Sequence, residues 1–205
     1  MRLILVRHGE TKWNREGRFQ GQSQVKLNDR GVEQARKVAS ALVSWKPTAL
    51  YSSPLPRTMM TASMVSNAVN LPVEPKDGLK EVNLGVLEGI TGKMMRTNYA
   101  DLYESWREDP SDVVFPEGES IRQLQTRAWR TVEEMEDANA EGTVVAVSHN
   151  FAIRAMLCAC LGLPLPMFHR LRVDLASISV VSFSSDSPQV LTINERCHLD
   201  SVRPK

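Results

Sequence analysis

Cysteine is scarce in this chain of 205 residues: there are three, and Cys158 and Cys160 stand two apart in a stretch of helical patterning, where they point to different faces. That number and spacing exclude a disulfide framework, argue against a zinc pair, and leave buried or idle thiols. Excess charge is missing as well. Lys and Arg number 25 against 24 Asp and Glu, a net charge of +1, which gives no electrostatic case for nucleic acid or a membrane surface as partner. No run approaches the roughly 18 uninterrupted apolar residues of a membrane span, and the amino terminus lacks the basic, apolar and small-residue order of a signal peptide. A cytoplasmic protein is expected. Internal repeats and low-complexity tracts are also lacking, so residues 1–205 are expected to form a single domain, and 42% hydrophobic content suffices for one large core.

What is present is an alternation of apolar strands with helical periodicity. The chain opens Leu3-Ile4-Leu5-Val6-Arg7-His8-Gly9-Glu10-Thr11, a strand covered on both faces that ends in a histidine. Asn28 caps a helix with Ala35, Val38, Ala39 and Leu42 at helical spacing. Ala49–Ser52 reads as a second strand, and a helix opening at Arg57 or Thr58 follows Pro54 and Pro56. A strand around Val73 precedes an irregular stretch from Lys76 to Gly118, of which about 84–118 is read as a cap inserted into the domain. Ser120 and Gln123 form a capping box for a helix that buries Ile121, Leu124, Ala128, Val132 and Met135. A second buried strand, Thr143–Val147, ends in Ser148-His149-Asn150, and the helix after it runs to Leu161 and stops at Gly162. Ile178–Phe183 and Val190–Ile193, separated by Ser184 to Pro188, read as a hairpin. The fold class that follows is α/β, a three-layer α/β/α sandwich whose sheet is mostly parallel with one antiparallel edge strand.

Ligands of α/β sheets collect at the carboxyl ends of the strands, and here two histidines emerge at two such ends. A phosphate monoester is a dianion near neutral pH, and guanidinium groups bind its oxygens bidentately, so Arg7 and Arg57 would hold it from two sides. Asn14 and Gln20 offer neutral amide donors from the loop after His8. Helix amino termini beyond Arg57 and His149, with Asn150 at the second, add oriented N–H groups. Hydrolysis of such esters requires acceleration of up to ~10²¹-fold, which favours splitting the step through a covalent intermediate. His8 is the candidate nucleophile: a backbone carbonyl would hold the proton on one ring nitrogen, and the flanking arginine disfavours the charged form. His149 would donate to the phosphoryl oxygens, and Glu81 would protonate the leaving alkoxide and later activate water. Glu10, nearer to His8 in sequence, is the rival acid. Leu84 and His198 are placed at the pocket rim, and His169 is read as a surface or packing residue. A metal site built from His8, Glu10, His149 and His198 is disfavoured by the arginine beside a ligand, so neither metal nor cofactor is expected.

The stretches Leu5-Val6-Arg7-His8-Gly9-Glu10-Thr11 with Asn14, Ser52-Ser53-Pro54-Leu55-Pro56-Arg57-Thr58, Glu81, and Val147-Ser148-His149 together resemble the histidine phosphatase superfamily, also called phosphoglycerate mutase-like. The resemblance is ordered and spans most of the chain. It implies that His8 becomes phosphorylated, that Arg7, Asn14, Arg57 and His149 form the phosphate pocket, and that Glu81 is the proton donor. Mutases of that family carry an Arg and a Tyr shortly after the acid to grip the substrate carboxylate. This chain has Glu81-Val82-Asn83-Leu84-Gly85-Val86-Leu87-Glu88-Gly89 instead and looks like the phosphatase branch. It is similar to bacterial members described as metal-independent phosphoserine phosphatases or broad-specificity phosphatases, and Asn194-Glu195-Arg196-Cys197-His198-Leu199 is similar to a segment that follows the last strand in phosphatase members. Apolar Leu84 leaves no evident reader for an amino or carboxylate group. The expectation is a phosphomonoesterase that hydrolyses small soluble organic phosphates through a phosphohistidine, with a small phosphorylated metabolite as its partner. A homodimer is expected from the frequency of two-fold symmetry. Two alternatives stand beside this reading: a cofactor-dependent phosphoglycerate mutase, which must keep its phosphoenzyme from water, and a non-catalytic phosphate-binding regulatory protein.

Overall fold

The computed structural model describes residues 1–183 and 187–199. In chain order the elements are β1 (Arg2–Arg7), α1 (Lys12–Arg15), α2 (Asp29–Leu42), β2 (Ala49–Ser52), α3 (Pro56–Val69), β3 (Val73–Pro75), α4 (Gly92–Asn98), α5 (Ala100–Glu108), α6 (Ile121–Ala138), β4 (Thr143–Ser148), α7 (Asn150–Leu161), β5 (Ile178–Ser182) and β6 (Gln189–Glu195). Local chemistry sets most of the boundaries. The Asn28 side chain accepts from Gly31 N–H to start α2, Ser120 and Gln123 bond reciprocally to start α6, and Gly162 at φ 61° ends α7. α3 has no side-chain cap and opens on Pro56, whose missing N–H costs nothing in the first turn.

The six strands lie in the order β3-β2-β4-β1-β5-β6. β3, β2, β4 and β1 run parallel, β5 pairs antiparallel to β1, and β6 pairs antiparallel to β5. The antiparallel strand is thus one in from the edge, because the second arm of the hairpin takes the edge itself. Of the turn read at Ser184 to Pro188, residues 184–186 lie outside the described residues. Alternate residues of the strands feed two cores. Ile4, Val6, Leu50, Val145 and Val147 pack under Val38 and Leu42 of α2 and Ala62 and Val65 of α3. Leu3, Leu5, Val144 and Ala146 pack under Leu124 and Val132 of α6 and Ile153 and Leu157 of α7.

Both central strands are therefore buried on two faces, as their unbroken apolar runs require. More consequential for the site, β1 and β4 are neighbours whose following helices, α2 and α7, lie on opposite faces of the sheet. A crevice opens where two adjacent parallel strands send their chains apart in this way. The stretch read as irregular contains α4 and α5, and its Leu84, Leu87, Met95 and Phe115 are buried in the same core as α7. Cys158 and Cys160 are buried free thiols, pushed by burial up to about 11 and about 12, respectively. No described helix is long and apolar enough to cross a membrane.

Candidate active site

The parallel register of β1 and β4 aligns Arg7 with Ser148, so the two histidines that follow leave the sheet side by side. His8 N–H donates to the Ser148 carbonyl at 3.1 Å, and the two imidazole rings meet edge to face with centroids 5.2 Å apart. Both are buried, at 2% and 0% exposure. Burial holds each well below its usual value near 6.5, reinforced for both by the Arg57 and Arg7 charges and for His149 by His8 itself. Both rings are consequently neutral at neutral pH.

They use their nitrogens differently. His8 Nδ1 lies 2.7 Å from the Gly9 carbonyl, which can only accept, so the proton sits on Nδ1 and Nε2 keeps its lone pair. Gly9 is indispensable to that turn, since a Cβ there would collide with the Gly31 backbone at the start of α2. His149 instead engages its Nε2, 2.8 Å from Ser53 Oγ, and its Nδ1 is buried without a partner among the described residues.

Beside His8 lies a cleft of ≈ 120 Å³, and His149, fully buried behind it, is not among the lining residues. Arg7 and Arg57 wall it, both pushed down to about 10 chiefly by burial, with Glu81 opposing, and both still cationic at neutral pH. Backbone carbonyls fix their directions: Arg7 Nη1 donates to Val173 O at 2.7 Å, while Arg57 donates to Ser23 O at 2.9 Å and Gly21 O at 2.6 Å. Each retains a buried Nε–H with no acceptor among the described residues. Asn14 and Gln20 also line the cleft, and Thr11 orients both by donating to Asn14 Oδ1 and Gln20 Oε1, which turns their NH₂ ends outward. Four donor side chains, two of them cationic, thus line a volume whose one lining carboxylate is Glu81, an excess of donors that an anion with several oxygens satisfies.

Glu81 lines the same cleft and is anchored by backbone: its carboxylate accepts from Val82, Phe151 and Ala152 N–H at 3.0–3.1 Å. Two of the α7 first-turn amides read from sequence as phosphate donors, those of Phe151 and Ala152, are therefore already taken by Glu81. Glu10 is tied to Asn28 at 2.8 Å and to Arg30 at 3.8 Å and does not line the cleft. Asn150 lines it with a buried, unpartnered Oδ1, and Leu84 forms part of its wall with Phe19, Val82 and Phe151. His198 is not among the lining residues. Its Nε2 meets Ala176 O at 2.9 Å and its Nδ1 meets Glu195, so its role is to pin the chain after β6 to the loop before β5. His169 packs its ring on Phe168 and Trp106, a packing residue.

Several contributors escaped sequence reasoning. Glu88 clamps the loop behind Arg57 by accepting from Gln22 N–H at 2.7 Å and from Ser23 Oγ. Arg18 reaches the mouth of the cleft, held by Glu16 and the Gly89 carbonyl. Arg127 of α6 gathers the carbonyls of Gly78, Lys80 and Glu81. Only Thr11 carried a local signal, as the cap of α1 with Asn14 three residues on. A larger open groove of ≈ 580 Å³ runs along α6, but its arginines 122, 127 and 130 are each paired with an acid, and it holds no nucleophile or base of the kind found beside β1.

Comparison with known proteins agrees with the geometry. The sequence model of the histidine phosphatase superfamily (branch 1) matches residues 3–196. Phosphoserine phosphatase 1 of Hydrogenobacter thermophilus is 37% identical over 199 residues, 97% of this chain and 94% of that protein. A Shigella boydii protein named "Probable phosphoglycerate mutase GpmB" is 34% identical over 210 residues, covering 98% and 96%. Among solved structures, a mycobacterial glucosyl-3-phosphoglycerate phosphatase complexed with VO3 superposes with a TM-score of 0.88 at 30% identity, over 95% of this chain and 99% of that one.

Proposed function

Because the chain belongs to branch 1 of the histidine phosphatase superfamily and is a phosphatase of small phosphorylated substrates, we propose that it hydrolyses phosphomonoesters through a phosphohistidine at His8. The observation that carries this reading is the pair of buried neutral imidazoles, one with a free lone pair and one with an unmet nitrogen, flanked by two buried arginines. Arg7, Arg57, Asn14 and Gln20 bind the phosphoryl oxygens. His8 Nε2 attacks phosphorus as the ester P–O bond breaks, His149 donates to a phosphoryl oxygen, and Glu81 delivers a proton to the departing alkoxide. Water then attacks the phosphohistidine, giving its proton to the Glu81 carboxylate, and the P–N bond breaks to release phosphate and neutral His8. Asn150, at the first turn of α7, adds a polar contact at the same anion.

The leaving group lies against Phe19, Val82, Leu84 and Phe151, with the segment 84–118 acting as a cap on that side. Such a wall suits an uncharged alcohol better than an amino acid. A panel of phosphate esters assayed in the presence of a chelator tests the reading. Turnover is expected to persist, with kcat/KM for an aryl phosphate exceeding that for phosphoserine by roughly tenfold, equivalent to about 1.4 kcal/mol of desolvation mismatch. Absence of hydrolysis, or isomerisation of 3-phosphoglycerate with a bisphosphate primer in its place, would contradict it.

A further inference from the structure

We infer that Ser53 is a positioning residue that fixes His149 in the Nδ1–H tautomer and so makes it a hydrogen-bond donor to the phosphoryl group. The inference rests on the proposed role of His149 and concerns a residue outside the cleft lining. Ser53 follows β2, the other parallel neighbour of β4, and its N–H donates to the Val147 carbonyl at 2.9 Å. That register sets its fully buried hydroxyl beside the ring that follows β4.

A count of donors and acceptors decides the tautomer. Ser53 Oγ has two partners among the described residues, Leu55 N–H at 3.4 Å, which can only donate, and His149 Nε2 at 2.8 Å. If Nε2 carried the proton, the hydroxyl hydrogen would be buried without an acceptor and Nδ1 would be a buried lone pair without a donor. Two groups would be unmet, at a cost for each that native interiors avoid. With the proton on Nδ1 the hydroxyl donates to Nε2, and one group is unmet, the Nδ1–H. A phosphoryl oxygen bound beside His8, whose ring is 5.2 Å away, supplies its acceptor. Both histidines then carry their proton on Nδ1. His8 turns its bare Nε2 to the phosphorus, whereas His149 turns its protonated Nδ1 to the oxygens, and Ser53 creates that difference for His149 as the Gly9 carbonyl does for His8.

The test uses ¹⁵N-histidine-labelled full-length protein, with His149 signals assigned through His149→Gln. The wild type is expected to show a protonated Nδ1 and an unprotonated Nε2 on His149. In Ser53→Ala that pattern is expected to mix or invert while the His8 signals stay in place, with kcat for an aryl phosphate falling roughly tenfold, the equivalent of about 1.4 kcal/mol, and KM changing little. Ser53→Thr, which keeps the hydroxyl, is expected to restore the tautomer. A wild-type His149 protonated on Nε2, or a Ser53→Ala protein whose His149 tautomer is unchanged, overturns the inference. Failure of the phosphatase reading would appear separately, as a correct tautomer in a protein that turns over no ester.

Discussion

His8 and His149 are built from the same side chain and made into different reagents by what their committed nitrogen touches, a carbonyl in one case and a hydroxyl in the other. Burial and two arginines keep His8 neutral far below the usual histidine range, and a neutral ring is the nucleophilic one. The pH dependence follows with a definite sign. An unperturbed histidine loses its lone pair to a proton as pH falls through about 6.5, whereas this one retains it. After allowance for the substrate's own second ionisation near about 6, kcat/KM is expected to show no acid limb at 6.5. An enzyme-dependent limb there, absent from the substrate titration, would contradict the assignment. At this scale the sequence was informative where chemistry is local: Arg7 and His8 stand at the end of an apolar run, and His149 repeats the pattern. Ser53 and Glu88 were invisible because their partners, His149 and the 21–23 loop, are brought to them by sheet register and by the path of the chain after β3.

Arg127 shows how an element outside the cleft positions the proposed acid. From the middle of α6 it bonds the carbonyls of residues 78, 80 and 81 at 2.8–2.9 Å and is itself held by Glu119 at 2.6 Å. The loop that carries Glu81 is thereby strapped to the helix, while the Glu81 carboxylate is strapped to the start of α7. Replacing Arg127 with Met removes the straps and keeps the length of the stem. The expected result is a loss of roughly 2 kcal/mol in urea unfolding, typical of charged hydrogen bonds, with kcat lowered more than KM. Unchanged kcat in a destabilised protein would show that the strap serves stability alone. Elements with a local signature were legible in advance. The Asn28 cap, the Ser120 capping box and the Gly162 stop each govern their own turn. α5 was not, although Tyr99, Leu102, Tyr103 and Trp106 follow helical spacing, because none of its residues is fully buried and aromatic side chains cover what strand or loop would cover as well.

For the molecule as a whole, the order of strands places two neutral histidines in the interior, and this has a thermodynamic consequence. The unfolded chain protonates both near 6.5 and the folded chain does so only far lower, so below 6.5 the unfolded state binds more protons. Stability is therefore full above that pH and declines as pH falls beneath it. Thermal unfolding is expected to be level from pH 8 to 7 and to drop toward pH 5, with a smaller drop in a His8→Asn, His149→Asn variant. An equal drop in that variant would assign the loss to carboxylates instead. The three-layer architecture was readable from the alternation of strand and helix, but the position of β5 inside the edge was not, since hairpin arms look alike until one of them meets β1. The same architecture brings Arg7, Arg57, Asn14, Gln20 and Glu81 to one cleft with His8, and the proposed chemistry depends on His8 Nε2 bonding to phosphorus. Rapid quenching of turnover with a substrate labelled in its phosphoryl group, followed by peptide mapping at neutral to alkaline pH, measures this directly: an acid-labile label on the peptide containing His8 is predicted, and turnover with no label there, or undiminished turnover by His8→Ala, would contradict it.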